Sequence, residues 1–555
     1  MLATYRYPKY AYVRPPEIAS RTVGRYPIVI VGAGPVGMAA AIDCAQHGLA
    51  VVVIDDDNTV SLGSRGVCYA KRALEIFDRL GCAEPMVAKG VSWNVGRTFY
   101  RDEEVYTFNL LSEPDHHRPG MINLQQYYLE EYLVRRIAEL PLIDMRWENK
   151  LISLKAGADT VRLEIETPDG LYAIETDWLI AADGARSRIR NMLGLDVEGQ
   201  VFMDRFLIAD VVMKADFPTE RWFWFDPPFH RGQSVLLHRQ ADNVWRIDFQ
   251  LGWSADPELE KKPERVIPRI KAMLGDEREF ELEWMSVYTF QCRRMARFRH
   301  GRVLFVGDAA HQVSPFGARG ANSGVQDADN LVWKLALVLA GKAPDALLDT
   351  YSDERVVAAD ENLMNSTRST DFITPKSQVS LDFRNAVLTL GRQFPFARAL
   401  VNSGRLSVPT ILTESALNTP DADRFDGLMV PGAPMDDAPV RVDGRDDWLL
   451  AHVGNRFVVL LFVDDAKTRD ATTIDALATL ARDPIAADAL VISSRPSTRA
   501  GTHVLHDVKG LAAKRYDATP GTTYVVRPDQ HVAARFRAFD AGKVRQAIAR
   551  ATCNL

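Results

Sequence analysis

The sequence predicts an α/β protein of several domains, and three observations support this fold class. The chain has 555 residues, whereas a single hydrophobic core stops growing at about 250–300 residues. Near its start, an apolar strand, a glycine-rich turn, a helix and a second apolar strand follow one another, which is the pattern of a βαβ unit. After residue 200 the pattern changes to alternating aromatic and polar strands, which indicates an antiparallel sheet.

Composition and charge exclude several classes of protein. Apolar residues at 47% and charged residues at 25% are typical of a folded globular chain. The 67 basic and 73 acidic side chains give a net charge of -6 without a basic patch, so we expect neither nucleic acid nor a membrane as a partner. The five cysteines are scattered and contain no Cys-x-x-Cys, which predicts reduced thiols and no metal site. With no signal-peptide pattern at the N-terminus, we expect a cytoplasmic protein.

The first βαβ unit carries a dinucleotide fingerprint. Strand Pro27–Val31 leads into Gly32, Gly34 and Gly37, which precede helix Met38–His47 and strand Ala50–Ile54. The first glycine permits the tight turn, the second lets the backbone approach a pyrophosphate, and the third lets helix and strand pack closely. Asp55 ends the second strand, where a carboxylate can accept the ribose hydroxyls. We expect a dinucleotide here, the alternative being a tight turn without a ligand.

The remaining elements follow from the same periodicities. In the first half we expect helices over 67–80 and Gln125–Leu140, a hairpin of Val161–Glu166 with Tyr172–Thr176, and a strand Trp178–Ala182. Strands of the antiparallel sheet are predicted at Trp222–Phe225, Ser234–His238, Val244–Leu251 and Glu281–Phe290. Next we expect a strand Val303–Val306, a helix Gly324–Ala340, further helical structure over 345–400 and a linker Pro420–Asp447. The last part alternates strand Phe457–Val463, a helix near Ile474–Leu480, strand Ala489–Ile492, a hairpin of Thr522–Val526 with His531–Phe536, and a helix near 541–551.

Two further motifs make the fingerprint specific. The first is Ala182-Asp183-Gly184-Ala185-Arg186, and the second is Gly307-Asp308-Ala309-Ala310-His311, which continues through Pro315, Gly317, Gly320 and Asn322. In this order and spacing, the sequence resembles the flavoprotein aromatic hydroxylases of the para-hydroxybenzoate hydroxylase class over nearly its full length. Within this class it is similar to the phenol and 3-(3-hydroxyphenyl)propionate hydroxylases, which carry a C-terminal thioredoxin-like domain.

The resemblance implies a fold and a division into domains. It implies a Rossmann-like FAD-binding domain with an inserted antiparallel-sheet substrate domain and a C-terminal thioredoxin-like domain. We expect an N-terminal arm (1–21), the discontinuous FAD-binding domain (22–90, 115–198 and 288–375), the substrate-binding sheet (91–114 and 199–287), a helical segment with a linker (376–445) and the thioredoxin-like domain (446–555). No cysteine follows Val463-Asp464-Asp465-Ala466 where a redox pair would lie. Thiol exchange is therefore excluded, and we expect packing or support of a homodimer.

The resemblance also implies non-covalent FAD and the residues that hold it. Asp183 and Asp308 match family positions at the cofactor, with Asp308 at the ribityl chain, and Pro315 would line the face where oxygen reacts. Gly317 and Gly320 lead into a helix whose first N–H groups, at Gly320, Ala321 and Asn322, can stabilise negative charge on the reduced flavin. Arg65 and Gln126 match positions that contact FAD, the alternatives being a solvated arginine and a polar helix face. Arg319 stands where many relatives have glutamine, which leaves its role open, and His311 is expected to be structural.

The activity that the resemblance implies is hydroxylation of a small phenol. NADH or NADPH reduces FAD, and O2 then forms a C4a-hydroperoxide that attacks the ring. A phenol with a pKa near 10 is ionised about once in a thousand at pH 7, so a polar partner should assist. The sheet offers Trp222, Phe223, Trp224, Phe225, His238, Trp245, Arg246, Asp248 and Tyr288. Among these, His238 and Arg246, with Tyr288, are the catalytic candidates, although the register of the strands is open.

Other functions remain compatible with the sequence. A monooxygenase of the same fold could act on a bulky polyketide or antibiotic. A flavin dehydrogenase would not activate O2, and a non-catalytic flavoprotein sensor would turn over no substrate. The sequence does not select the substrate, the position of hydroxylation or the nicotinamide cofactor.

Overall fold

The structure is a computed structural model that describes residues 4–215, 217–402, 406–465, 471–496 and 503–555. The first strands in chain order are β1 (Gly24–Val31), β2 (Val51–Ile54), β3 (Cys68–Ala70), β4 (Val91–Trp93), β5 (Val95–Tyr100), β6 (Glu103–Asn109), β7 (Met121–Asn123), β8 (Ile143–Arg146), β9 (Lys150–Ala156), β10 (Val161–Thr167) and β11 (Gly170–Ala181). The later strands are β12 (Glu198–Val212), β13 (Arg221–Phe225), β14 (Ser234–Arg239), β15 (Val244–Gln250), β16 (Glu281–Arg294), β17 (Arg299–His300), β18 (Val303–Phe305), β19 (His311–Gln312), β20 (Pro439–Val442), β21 (Arg445–Trp448), β22 (Phe457–Val463), β23 (Ala487–Ser493), β24 (His503–His506), β25 (Thr523–Val526) and β26 (Val532–Phe536). The helices are α1 (Pro16–Ser20), α2 (Pro35–Gln46), α3 (Lys71–Leu80), α4 (Ala83–Lys89), α5 (Gln126–Ala138), α6 (Arg188–Met192), α7 (Pro257–Glu260), α8 (Pro263–Leu274), α9 (Gly320–Leu339), α10 (Leu347–Ile373), α11 (Gln378–Gly391), α12 (Pro395–Arg398), α13 (Ala471–Leu480), α14 (Leu511–Arg515) and α15 (Ala541–Ala551).

The first sheet is built on parallel strands in the order β17-β18-β11-β1-β2-β8, with β10 and β9 attached to β11. Burial is complete in β2 and β18 and at the carboxyl-terminal ends of β1 and β11, where the residues are apolar and helices cover them, as parallel sheets require. The register places Val31 beside Ile54 and Ala181, and Ala181 beside Phe305. The carboxyl ends of β1, β2, β11 and β18 therefore meet at one edge, which is where ligands bind in such sheets.

The second sheet has the order β19-β16-β12-β15-β14-β13-β5-β6, and its two faces differ. On β15, Trp245, Ile247 and Phe249 join an apolar cluster with Val266 and Ile270 of α8. The alternate residues, among them Arg246 and Asp248, occupy the opposite face, which we call the inner face because Arg246 bonds the 64–65 loop of the FAD-binding region. The sheet thus has one apolar face, whereas the inner face combines these polar side chains with a second apolar cluster that includes Phe206, Phe223 and Phe225.

The C-terminal sheet has the order β21-β20-β24-β23-β22-β25-β26 and forms the thioredoxin-like domain. The turn between β25 and β26 reaches into the first domain, where the fully buried Arg527 donates to Glu354 of α10. Arg72 of α3 donates to Gln530 and to the Asp529 carbonyl of the same turn. The α/β fold class with three architectural parts is therefore confirmed, while the exact domain limits stay a prediction.

Some predicted elements were wrong in type or extent. Residues 67–80 do not form one helix, because Cys68–Ala70 pairs with β7 as strand β3 before α3 begins. Pro439–Val442 lies in the predicted linker but pairs with β24. Helix α9 begins at Gly320, four residues before the predicted Gly324, and the long strand β12 was not predicted. For β3, β20 and β12, pairing with a distant segment outweighs the local pattern.

Three features bear on the excluded classes. The five cysteines are free thiols. Among the described residues, no helix is long and apolar enough to cross a membrane. In the same part of the chain, no group of three or more His, Cys, Asp or Glu side chains is arranged to hold a metal ion.

Candidate active site

The glycine-rich turn follows β1 and leads into α2. Gly32 has a φ of 109°, and a Cβ there would lie 2.4 Å from the Ala182 carbonyl oxygen. A Cβ at Gly37 would lie 2.0 Å from the Gly32 carbonyl oxygen, so this residue is needed for packing. By contrast, a Cβ at Gly34 would meet no protein atom within 4 Å. Gly34 therefore opens onto free space at the N-terminus of α2, where a pyrophosphate can approach the backbone.

Two predicted acids at the sheet edge have different surroundings. Asp55 accepts the backbone N–H groups of Ala33 (2.6 Å) and Asp57 (2.9 Å), so it supports the glycine-rich turn. Burial raises the pKa of Asp55 to about 6, although these N–H groups oppose the shift. Asp183 accepts the Ile189 N–H through Oδ2, whereas its buried Oδ1 has no partner in the described part of the chain. A buried acceptor without a partner is rare in native proteins, and a ligand that donates a hydrogen bond would satisfy it.

Asp308 follows β18 and is exposed, and its carboxylate, unlike its backbone carbonyl, accepts no hydrogen bond from the described residues. A Cβ at Gly320 would lie 3.8 Å from Asp308 Oδ1, so the carboxylate lies beside the start of α9. The first N–H groups of a helix lack intrahelical partners, which leaves those of Gly320, Ala321 and Asn322 available. The side chain of Asn322, however, bonds the Ala70 N–H and the Cys68 carbonyl. Only its backbone is free to serve a cofactor.

Arg65 and Gln126 lie near this edge of the first sheet and differ in their hydrogen bonds to the protein. The Arg65 side chain is exposed and donates weakly to the Leu62 carbonyl at 3.3 Å. Gln126 accepts the Gly66 N–H at 2.9 Å and donates to Ser61 and Glu130, so it holds the 61–66 loop in place. Contact of either residue with FAD stays a prediction.

The segment between β18 and α9 contains the other predicted positions. Pro315 is exposed at the start of a 3-10 turn that ends at Gly317. Arg319 is buried and donates to Asn362 and to the Leu406 carbonyl, so it is not a solvent-facing cation. His311 is buried with Nε2 2.6 Å from Asp327, in keeping with a structural role.

A row of polar side chains crosses the inner face of the second sheet. His238 pairs with Arg246 across β14 and β15, and Arg246 pairs with Asp210 of β12. Arg221 begins β13 and continues the row beyond His238, because Trp222 pairs with Leu237. All four side chains are buried. The predicted opposition of His238 and Arg246 is therefore present in the structure.

Arg246 is bound by protein groups on several sides. Its Nε donates to Asp210 Oδ1 at 3.0 Å, its Nη1 to the Arg65 carbonyl at 3.0 Å, and its Nη2 to Ser64. Burial lowers the pKa of Arg246, but Asp210 and Asp248 more than offset this, so its pKa is raised. Arg246 is a fixed positive charge that ties the sheet to the 64–65 loop.

His238 is a neutral imidazole with one nitrogen available. Its Nδ1 lies 3.8 Å from the sulfur of Cys68, whose thiol donates to Asn123 Oδ1 at 3.2 Å. With the thiol hydrogen directed at Asn123, we assign Nδ1–H as the donor to sulfur, which leaves the lone pair on Nε2. Burial lowers the pKa of His238 well below its usual value, and Arg246 and Arg221 lower it further. Nε2 is buried without a partner among the described residues, and in this tautomer it is an acceptor.

Tyr288 lies further along the inner face, opposite Phe206. Burial raises its pKa well above the usual range, so the phenol stays protonated. The same side chain lines an open cleft of about 450 Å³ with Arg186, Arg205 and Arg293. Among the described residues that line this cleft, none is acidic. The cleft is therefore suited to an anionic ligand.

Sequence reasoning missed part of the inner-face row. Asp210 lies on β12, a strand whose pattern is interrupted by charged residues and by Gly199. Arg221 immediately precedes the aromatic run that predicted β13, so a strand started one residue earlier would have included it. Cys68 was assigned to a helix, although it lies against His238. No local signal identifies these contacts.

Comparison with known proteins gives a consistent picture. Residues 25–366 match the FAD binding domain family and residues 437–551 match the HcaD C-terminal domain. A "Probable NADH-specific resorcinol 4-hydroxylase" of Rhodococcus jostii is 31% identical over 62% of this chain, which spans 64% of that relative. A "6-methylpretetramide 4-monooxygenase" of Streptomyces rimosus is 29% identical over 92% of this chain and 90% of its own length. The crystal structure of the flavin-dependent monooxygenase PieE with FAD and substrate shares the fold, with a TM-score of 0.78, 23% identity and coverage of 96% of this chain and 99% of that one.

Gly34→Ala should separate cofactor binding from folding. The new methyl group meets no protein atom within 4 Å, so the free energy of unfolding of the apoprotein should stay near wild type. A pyrophosphate approaching the backbone would meet that methyl group, so FAD affinity should fall by more than tenfold. Equilibrium titration with FAD and thermal melts of the apoprotein measure both quantities. Wild-type FAD affinity would place the pyrophosphate elsewhere.

Asp308→Ala should largely abolish retention of FAD while the C-terminal domain stays folded. In the described part of the chain no group donates a hydrogen bond to this carboxylate, and loss of one charge-assisted hydrogen bond to a ligand weakens binding by roughly ten- to a hundredfold. Fluorescence titration of apoprotein with FAD checks the affinity. An affinity within a factor of two of wild type would exclude contact between Asp308 and the cofactor.

Acid precipitation should release yellow flavin from the purified protein. The groups available at the sheet edge are backbone N–H groups and carboxylates, which hold a ligand without a covalent bond. Absorbance of the supernatant and of the pellet measures the partition. Flavin that stays with the denatured pellet would contradict non-covalent binding.

Proposed function

The chain belongs to the FAD binding domain family and is a flavin-dependent aromatic monooxygenase, and we propose that its substrate is a small phenol whose hydroxyl contacts His238. FAD supplies the redox chemistry, accepting electrons from NADH or NADPH and reacting with O2. The residues that we propose to hold it are those at the sheet edge, with Gly34 at the pyrophosphate, Asp308 at the ribityl chain, and Asp183 as a further acceptor. The first turn of α9 would face the flavin ring.

The buried Nε2 of His238 is the observation that carries this proposal. It bears a lone pair and has no partner in the described residues, so it can accept a hydrogen bond from a phenol hydroxyl. Shifting a phenol pKa from near 10 to near 7 takes about 4 kcal/mol. An acceptor in a dry site next to the fixed charge of Arg246 can supply stabilisation of that order. His238 Nε2 would then accept the hydrogen bond of the phenol hydroxyl, while Arg246 favours negative charge on the phenol oxygen.

A packed aromatic cluster at one end of the inner face favours a small ring over a polyketide. Phe206, Phe290 and Phe316 form a mutual cluster with ring centroids 4.9–5.0 Å apart, at the end of the face where Tyr288 lies. These aromatic side chains occupy volume that a polycyclic substrate would need. The likeness to the Streptomyces rimosus enzyme over 92% of this chain is what supports the polyketide alternative.

The cleft beside Tyr288 is our candidate for the nicotinamide dinucleotide. Arg186 belongs to the Asp-Gly motif, whose family counterpart is implicated in binding NAD(P)H. Arg205 and Arg293 add two guanidinium groups, each of which can donate two parallel hydrogen bonds to the oxygens of a phosphate. We propose that the diphosphate of NADH or NADPH docks there transiently.

We further propose that the protein is a cytoplasmic homodimer. Several large apolar side chains of the 376–445 segment are exposed, among them Phe383 at 55%, Phe394 at 44%, Phe396 at 65% and Leu400 at 50%. A cluster of this kind on α11, α12 and their flanks supports contact with a second copy. Light scattering at several protein concentrations tests this assembly.

A screen of phenols and phenylpropanoids tests the central proposal. The expected result is substrate-dependent oxidation of NADH or NADPH together with incorporation of one atom from labelled O2 into the product. Oxidation of the substrate without label would indicate a dehydrogenase. Absence of any turnover would indicate a sensor, and activity confined to polycyclic compounds would support the polyketide alternative.

His238→Ala should depress hydroxylation far more than flavin reduction. The variant removes the acceptor, so the phenol must ionise unaided, and activity should partly recover across about pH 6.5–9 as it does so. Stopped-flow traces separate the two steps. Arg246→Ala should show the same loss because the phenolate loses its neighbouring cation.

Arg239→Ala is the matched control for these variants. Arg239 is adjacent to His238 on β14 but points to the other face, where it bonds Asn243. Its profile should match wild type. If the His238 and Arg246 variants also gave wild-type profiles, both residues would be removed from the mechanism.

A further inference from the structure

The inner face offers a second buried acceptor beside His238. Asp248 lies on β15, two residues beyond Arg246, and is 7% exposed. Its Oδ1 is buried and accepts no hydrogen bond from the described residues. Two acceptors without partners, His238 Nε2 and Asp248 Oδ1, therefore lie on adjacent strands of one face. Buried groups of this kind are rare unless something donates to them.

The register fixes how these acceptors are related. Asp248 is opposite Leu236, and His238 is opposite Arg246, so Asp248 and His238 are diagonal neighbours. Diagonal pairs in an antiparallel sheet are about 7–8 Å apart at their backbones, within reach of one intervening aromatic ring. This separation suits donor groups on two flanks of the ring better than two adjacent groups.

Burial affects which substrate charge the inner face can accept beside Asp248. Burial raises the pKa of Asp248 to about 7, although Arg246 and Arg221 oppose the shift. A carboxylate on the ring would place a second buried acid beside Asp248, and two neighbouring carboxyl groups oppose each other's ionisation. A neutral ring that donates a hydrogen bond to Asp248 avoids this cost.

We propose that Asp248 determines substrate specificity by binding a second donor group on the ring, so that the preferred substrate is a neutral aromatic with two non-adjacent hydroxyl or amino groups. The proposal rests on the proposed function, because His238 receives the first hydroxyl. Asp248 receives the other and fixes the rotation of the ring. That rotation decides which carbon faces the oxidant.

Energetics support discrimination of this kind. A ring that lacks the second donor would leave the buried Asp248 oxygen unpaired. Sites built to bond a substrate hydroxyl reject analogues without it much more strongly than apolar pockets reject a missing methylene. An acceptor on the ring in place of a donor would also repel the carboxylate.

The test compares matched phenols on wild-type holoenzyme. Resorcinol has two non-adjacent donors, 3-methoxyphenol replaces one donor with an acceptor, catechol has adjacent donors, and 3-hydroxybenzoate is an anion. Binding is followed by the change in flavin absorbance, and hydroxylation by product formation. We expect resorcinol to bind at least about tenfold more tightly than each of the others, the loss expected for one charge-assisted hydrogen bond.

Two variants and a control assign the preference to Asp248. Asp248→Leu should reduce the resorcinol preference to within about twofold, whereas Asp248→Asn, whose amide oxygen can still accept, should retain much of it. Asp204→Asn is the control, because Asp204 is a buried carboxylate of the same sheet that already binds Trp253 and Lys376. Its preference should equal that of wild type. An equal loss for all four phenols in Asp248→Leu would mean a structural role and overturn the proposal.

The outcomes also separate this inference from the proposed function. If 3-methoxyphenol or 3-hydroxybenzoate binds as well as resorcinol to wild type, the inference fails while phenol hydroxylation stands, whether or not the variants fold. If none of the four stimulates NADH or NADPH oxidation and larger aromatics do, the proposal of a small phenolic substrate is wrong.

Discussion

The active-site geometry depends on one buried carboxylate. Asp327 of α9 accepts the Gly307 N–H at 2.9 Å and His311 Nε2 at 2.6 Å through one oxygen, and Arg355 Nε at 2.6 Å through the other. Burial raises the pKa of Asp327, but His311 and Arg355 more than offset this, so the group stays ionised. Removing one partner of such a buried pair costs about 3–5 kcal/mol. The turn that carries Asp308 is thereby held at a fixed distance from α9 and α10.

This constraint makes the helix N-terminus usable. A positive helix end stabilises charge only within its first turn, so α9 must start at the right depth relative to the sheet edge. Asn322 sets that depth by bonding the Ala70 N–H and the Cys68 carbonyl of β3. Arg319 adds contacts with Asn362 and Leu406. Side chains at the helix start thus bond to neighbouring elements, and we propose that the backbone N–H groups serve the cofactor.

The cofactor edge was predictable from sequence because its signals are local. Gly32, Gly34, Asp183 and Asp308 each follow directly after an apolar strand, and parallel strands bring their ends together. The inner face was predictable only in part. His238 and Arg246 lie on one hairpin with a three-residue turn, so their opposition follows from strand length. Asp210, by contrast, reaches Arg246 because β12 pairs with β15, a strand far away in the chain. The local periodicity of the sequence does not predict the register of such a pair.

The two sites are physically joined through Arg246. On one side its guanidinium binds Asp210 of the sheet, and on the other it binds Ser64 and the Arg65 carbonyl of the FAD-binding region. Ser64 also donates to Asp210, so the three groups close a ring of hydrogen bonds. A shift of β15 relative to the 64–65 loop would have to break these bonds in a buried environment, where each unpaired group is costly. These bonds therefore fix the sheet relative to the loop, and with it the positions of His238 and Asp248, the acceptors that we propose for the substrate ring.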